Sequence, residues 1–209
     1  MLYGYENDVN IFNIQLNELC ECSAQAADGG VEITIEPIVE KYEQIVVIDP
    51  AHGGDDSGTV SFDVKESQVN FALAEAVAAN MSNSSVGVFL TRKSDANPSE
   101  EERAQLIKDL KADVVLHIEC RGDVKTRTKS GMEIVKGSMS LDSGSAVGQD
   151  NKNNAAGTDN YKNDIKAITC YAGYLTNKMD ATNLSDEVYI AEVAAKLSET
   201  VFDELKSGK

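Results

Sequence analysis

Apolar and polar positions along the chain fall into short blocks whose spacing changes from element to element. Ile45–Ile48 is a continuous apolar run closed by Asp49-Pro50 and then Gly53-Gly54, as expected of a strand buried on both faces that runs into a loop. Over Glu66–Met81 the residues Val69, Leu73, Ala76, Val77 and Met81 share one helical face, and Asn83, Ser84 and Ser85 end it. Val86–Leu90 predicts the next strand. Ser99 followed by Glu102 is a capping-box signature, and Ala104, Leu106, Ile107 and Leu110 extend it as a second amphipathic helix. Asp113–Glu119 predicts a third strand, Met132–Val135 and Ala167–Tyr171 two shorter ones, and Ile190, Val193, Ala194, Leu197, Val201 and Leu205 a closing helix. Strands alternating with helices predict a layered α/β domain over residues 44–209: a largely parallel twisted sheet flanked by helices, of the phosphorylase/hydrolase-like kind.

Two stretches break the pattern. Gly137–Asn163 is rich in Gly, Ser, Asn, Asp and Lys without an apolar period, and reads as a long loop or a poorly formed helix, either a mobile, disordered segment, the favoured reading, or a binding loop. Residues 1–43 hold nine acids and one base, so this fifth of the chain carries -8 of the total -16. They read as an acidic leader or linker with one strand signal at Val31–Ile35, ending at Pro37.

Composition narrows the function classes. A chain of 209 residues with 42% hydrophobic positions supports one domain with a sizeable core. Its net charge repels phosphate backbones and anionic lipid heads, so nucleic acid is a poor partner. No apolar run reaches the roughly 18 residues of a membrane span, and the first residues do not read as a secretory signal. His52 and His117 are the only histidines, which excludes a metal site built from three imidazoles of one subunit. Cys20, Cys22, Cys120 and Cys170 form no CxxC pair; the last two lie in apolar runs and read as packed small hydrophobes.

In open α/β sheets ligands bind beyond the carboxyl ends of the strands, which directs attention to Asp49, His52, Glu66, His117, Glu119 and Tyr171. Strand alternation puts His117, Glu119 and Arg121 on one face and Ile118 and Cys120 on the other. Singly, each has a bland reading: a loop histidine, a first-turn acid, a surface ion pair. Two histidines and two acids at one sheet edge make a metal or acid–base constellation.

Several motifs in fixed order then resemble a known family. They are Ile45-Val-Val-Ile-Asp-Pro-Ala-His-Gly-Gly54, Lys65-Glu66-Ser-Gln-Val-Asn70, Phe89-Leu-Thr-Arg92 with Ser94-Asp95, Glu102-Arg103, Ala112-Asp113, Gly131-Met-Glu-Ile134 and Gly173-Tyr-Leu-Thr-Asn177. Together they resemble the zinc-dependent N-acetylmuramoyl-L-alanine amidases of the bacterial cell wall, from about Gln44 to the C-terminal helix. The resemblance implies one zinc held at the positions of His52, Glu66 and Glu119, with Arg121 and Asn177 at substrate-binding positions. It also implies peptidoglycan or a muropeptide as ligand, a protein partner as a further possibility, and a place outside the cytoplasmic membrane, at the cell wall or surface, reached through an export signal or anchor upstream.

This chain departs from the family pattern at two positions. The third ligand is Glu119 where the family has histidine, with His117 two residues before it, and Tyr171 stands where the family has a catalytic glutamate. A carboxylate is a competent zinc ligand, but an ordinary phenol, with a pKa near 10, does not take a proton from water at neutral pH. The expectation is therefore a degenerate amidase-like cell-wall protein that binds muropeptide or a partner, with weakened or lost zinc. The alternative is an active zinc amidase, for which His117 or Glu119 would have to act as base. A magnesium enzyme using Asp49, Asp55, Asp56 and Glu66 fits the acids but ignores the ordered motifs.

Overall fold

The computed structural model describes residues 2–6, 9–82, 85–139 and 165–207. The chain forms two compact units, Met1–Lys41 and Tyr42–Lys209.

In the first unit, β1 (Leu2–Glu6) pairs antiparallel with β2 (Val9–Asn13), and β3 (Cys20–Ala27) with β4 (Gly30–Pro37), before a single turn of helix, α1 (Ile38–Lys41). Where the sequence signalled one strand at 31–35, the structure has four strands. Cys22, Ala24 and Ala26 alternate with polar residues but are too small to register as a strand pattern, so only the half of the hairpin containing Val31, Ile33 and Ile35 was legible. The turn joining β3 to β4 uses Gly29 at φ +81°, the left-handed region that glycine enters at no steric cost.

The second unit is the expected α/β domain. Its elements are β5 (Gln44–Pro50), β6 (Val60–Ser61), β7 (Val64–Lys65), α2 (Glu66–Asn80), β8 (Val86–Leu90), α3 (Glu100–Asp109), β9 (Val114–Arg121), β10 (Glu133–Met139), β11 (Ile165–Tyr174), α4 (Lys178–Asn183) and α5 (Glu187–Lys206). The five-stranded sheet runs β10-β11-β9-β5-β8; all neighbours are parallel except β10, which is antiparallel to β11. The polar stretch expected to begin at Gly137 instead contributes Gly137, Ser138 and Met139 to β10, and the remainder of that expectation lies outside the described residues. Among the described residues no helix is long and apolar enough to cross a membrane.

Alternation along β5 and β9 divides the core. Val46, Ile48, Val114, Leu116, Ile118 and Cys120 face α2 and α5, where Leu73, Val77, Leu197 and Val201 are fully buried. Val47 and Val115, of opposite parity, are equally buried, as are Ile107 and Leu110 at the end of α3. The predicted capping box is present: Ser99 Oγ accepts from the Glu102 amide at 3.2 Å, and the Glu102 carboxylate accepts from the Ser99 amide at 2.8 Å. Gln44 Nε2 donates to the Leu205 carbonyl at 3.2 Å, fastening the start of β5 to the last turn of the closing helix.

Because Leu197 has no exposed surface in the α2–α5 interface, Leu197→Ala leaves a cavity there. The expected loss is about 2–5 kcal/mol of stability, measured as a lowered urea midpoint at unchanged slope.

Candidate functional site

The carboxyl ends of β5 and β9 and the start of α2 meet at one edge of the sheet. Register places Asp49 beside His117, and Tyr171 between Glu119 and Glu133, so one face of the sheet carries a row of ionisable and aromatic groups.

Asp49 is the buried anchor. Its Oδ1 accepts from Thr91 Oγ1 at 2.6 Å and from Arg103 Nη1 at 2.7 Å, and its Oδ2 accepts from His117 Nδ1 at 2.8 Å. Burial alone would raise its pKa, but His117, Arg103 and Thr91 outweigh it and hold the carboxyl well below the usual range. His117 is buried between two carboxylates, donating through Nε2 to Glu119 Oε2 at 3.3 Å. Burial opposes its charge, yet Asp49 and Glu119 prevail and push its pKa up to about 9. Arg103 also donates to the carbonyls of Pro50, at 3.0 Å, and Pro98, at 3.0 Å. Arg92 donates to Pro50 and Ser67 carbonyls at 3.2 and 2.7 Å, so two guanidinium groups fix the loop that leaves β5.

That loop presents His52 at φ +63°, a left-handed conformation uncommon for a residue with a side chain. Its Nδ1 donates to Asp56 Oδ2 at 2.7 Å, and its Nε2 lies 3.6 Å from Glu66 Oε1. Glu66 first, and Asp56 after it, raise the His52 pKa to about 9 against partial burial. Glu66 opens α2 with its carboxylate buried: Oε1 accepts from the Cys120 amide and Oε2 from the Thr59 amide, each at 2.8 Å. Burial would raise its pKa, but His52 and these two amides lower it. Glu66 thus does more than favour the helix dipole, because it ties β9 and the β6–β7 approach to the His52 loop. Gly58 is required between them; a Cβ there would lie 2.6 Å from His52 Cδ2 and 2.8 Å from Glu66 Oε2, at φ +62°.

Of the three expected zinc ligands, the structure brings His52 and Glu66 together and turns Glu119 onto His117. Among the described residues no group of three His, Cys, Asp or Glu side chains stands arranged to hold a metal ion. Tyr171 is buried, and the Arg121 guanidinium carbon lies 3.4 Å from its ring centroid, a cation–π stack. Arg121 also pairs with Glu133 and lies 3.5 Å from Tyr174 Oη. Asn177 is the N-cap of α4, its Oδ1 accepting from the amides of Met179 and Asp180 at 2.9 and 3.4 Å. Asp56 as partner of His52 was missed in the sequence, where it figured only as a possible magnesium ligand; its spacing four residues after His52 is the only signal it gave. Thr91 gave none.

Comparison with known proteins follows the same lines. A family model described as N-acetylmuramoyl-L-alanine amidase matches residues 46–203. A Bacillus subtilis (strain 168) protein, YqiI, itself described as uncharacterized, is 24% identical over 190 residues, spanning 79% of this chain and 88% of its own. The catalytic domain of CwlV, an N-acetylmuramoyl-L-alanine amidase from Bacillus (Paenibacillus) polymyxa var. colistinus, superposes with a TM-score of 0.64 at 23% identity, covering 78% of this chain and 98% of that domain. An N-acetylmuramoyl-L-alanine amidase from Clostridium difficile 630 does so with a TM-score of 0.65 at 22% identity, covering 79% and 98%. At these identities the structures share the fold.

Two outcomes test this geometry. Gly58→Ala should separate His52 from Glu66 and lower stability, read as a shift of the His52 ring resonances together with a lowered melting temperature. His117 gains its charge-stabilising partners on folding, so its contribution is full below its ordinary pKa of 6.5 and is lost as pH rises through about 9. The stability gap between the wild-type chain and His117→Gln should therefore narrow between about pH 6 and about pH 10, measured by urea unfolding across that range.

Proposed function

From its membership of the N-acetylmuramoyl-L-alanine amidase family, to which this chain belongs, we propose a non-hydrolytic role: an amidase-like cell-wall protein that holds muropeptide without cutting it. The observation that carries this reading is the commitment of Glu119 to the buried Asp49–His117 pair. That carboxylate accepts from His117 Nε2 at 3.3 Å. Tyr171, at the position of the family's catalytic glutamate, is buried under Arg121 and has no carboxylate to take a proton from water.

What the edge does offer is a cationic hydrogen-bond donor, Arg121, which is partly exposed. It suits a carboxylate of a peptidoglycan stem peptide, which a guanidinium group binds through charge-assisted hydrogen bonds. Peptidoglycan lies outside the cytoplasmic membrane, so the reading puts the protein's work there. The alternative, an active zinc amidase, has in its favour the retained His52–Glu66 pair, 3.6 Å apart.

One assay separates the two. With added zinc and a soluble muropeptide, the unmodified chain should bind, seen by calorimetry, and release no peptide above background. Arg121→Ala should weaken that binding about ten-fold, the loss of one charged hydrogen bond. Glu119→His combined with Tyr171→Glu should tighten zinc binding and produce measurable cleavage, while either change alone restores little, because a general base contributes roughly a hundred-fold to ten-thousand-fold. Robust turnover by the unmodified chain would sink the non-hydrolytic reading in favour of the zinc amidase.

A further inference from the structure

The hairpin of β3 and β4 is amphipathic in a way the candidate site does not use. Its register pairs Cys22 with Ile35, Ala24 with Ile33 and Ala26 with Val31 on one face. On the other it pairs Glu21 with Glu36, Ser23 with Thr34 and Gln25 with Glu32. The polar face is internally bonded: Lys41 pairs with Glu21 and Glu36, and Gln25 Nε2 donates to Glu32 at 3.0 Å. The apolar face is open, with Val31 67% and Ile33 57% exposed and Cys22 an exposed free thiol. Strict alternation over a full hairpin is the pattern of a ribbon that buries one face against something.

Charge decides among occupants. A two-stranded face of eight-residue strands is about 10 Å across and about 26 Å long. That is well short of the roughly 800 Å² per partner of a stable interface, so apolar contact alone does not hold a second copy there. A second copy would also bring residues 1–43, with their net -8, against an equal charge. Anionic lipid is opposed for the same reason. On so narrow a ribbon Glu21, Glu32 and Glu36 of the opposite face lie within about a Debye length, roughly 8 Å, of the apolar rim, so their field reaches whatever covers that face. We propose that this face is the docking surface for a protein that lays an apolar strand over Val31, Ile33 and Ala24 and surrounds it with lysine or arginine.

The probe is a labelled extended peptide of eight alternating valines and lysines, with a twin carrying glutamate for lysine, both titrated against the full chain by fluorescence anisotropy. The lysine peptide should bind, the glutamate twin should not, and binding should slow alkylation of Cys22. Val31→Ser with Ile33→Ser, which leaves the charge untouched, should weaken binding at least ten-fold. Asp28→Lys with Glu32→Lys, which leaves the apolar face untouched, should weaken it and flatten its salt dependence; this second pair keeps the test informative if the first disturbs the hairpin. The proposal fails if the lysine peptide does not bind, if the serine variant binds it equally, or if the glutamate twin competes. It fails equally if Cys22 is already shielded in the free chain, or if the free chain sediments as a dimer that the serine variant dissolves, since the face would then be covered by the chain itself or by its copy.

Discussion

A single buried carboxylate organises the catalytic-type edge of this fold. Asp49 stands at the end of β5 with almost no exposure, where an unpaired charge would cost several kcal/mol, and three groups answer it: Thr91 after β8, Arg103 on α3 and His117 on β9. Each partner comes from a different element, so neutralising one charge fixes the ends of three neighbouring strands and the helix that covers them. The same arrangement reaches Glu119, because a histidine placed between two carboxylates is held by both.

Much of this was legible in the sequence, and the limits have physical reasons. The strand at Ile45–Ile48, the face of α2, the capping box at Ser99 and the shared face of His117, Glu119 and Arg121 all follow from local periodicity and stand in the structure. The β10 strand extends past the expected Val135 because Lys136, Gly137 and Ser138 lie at the sheet's edge, where partial exposure removes the need for apolar residues. The short α4 was invisible, being little more than a turn, and its cap is Asn177, a residue that the family resemblance had assigned to substrate. The bond from Arg103 to Asp49 spans 54 residues, and no local pattern announces a contact of that range. The hairpin in residues 20–37 was half hidden because alanine and cysteine occupy positions where a strand pattern is normally read from larger side chains.

Resemblance and geometry inform different parts of the conclusion. The family match and the shared fold account for the scaffold. The chemistry of individual positions is read from this chain's own side chains. Arg121 over the ring of Tyr171 is one such local arrangement, in which the aromatic ring offers its face to a cation.

The packing of α2 against α5 bears on how the chain is made. The face of α2 that carries Leu73 and Val77 is completed only by Leu197 and Val201, more than a hundred residues later, and Gln44 reaches the last turn of α5. During synthesis the sheet strands emerge long before the helix that covers them, and their apolar surface has no native partner until α5 itself has been made. Such long-range closure slows folding and leaves a nascent chain that depends on holding factors or rapid completion. Truncation of the last turns would therefore act first on yield in the cell, before any effect on the site could be measured.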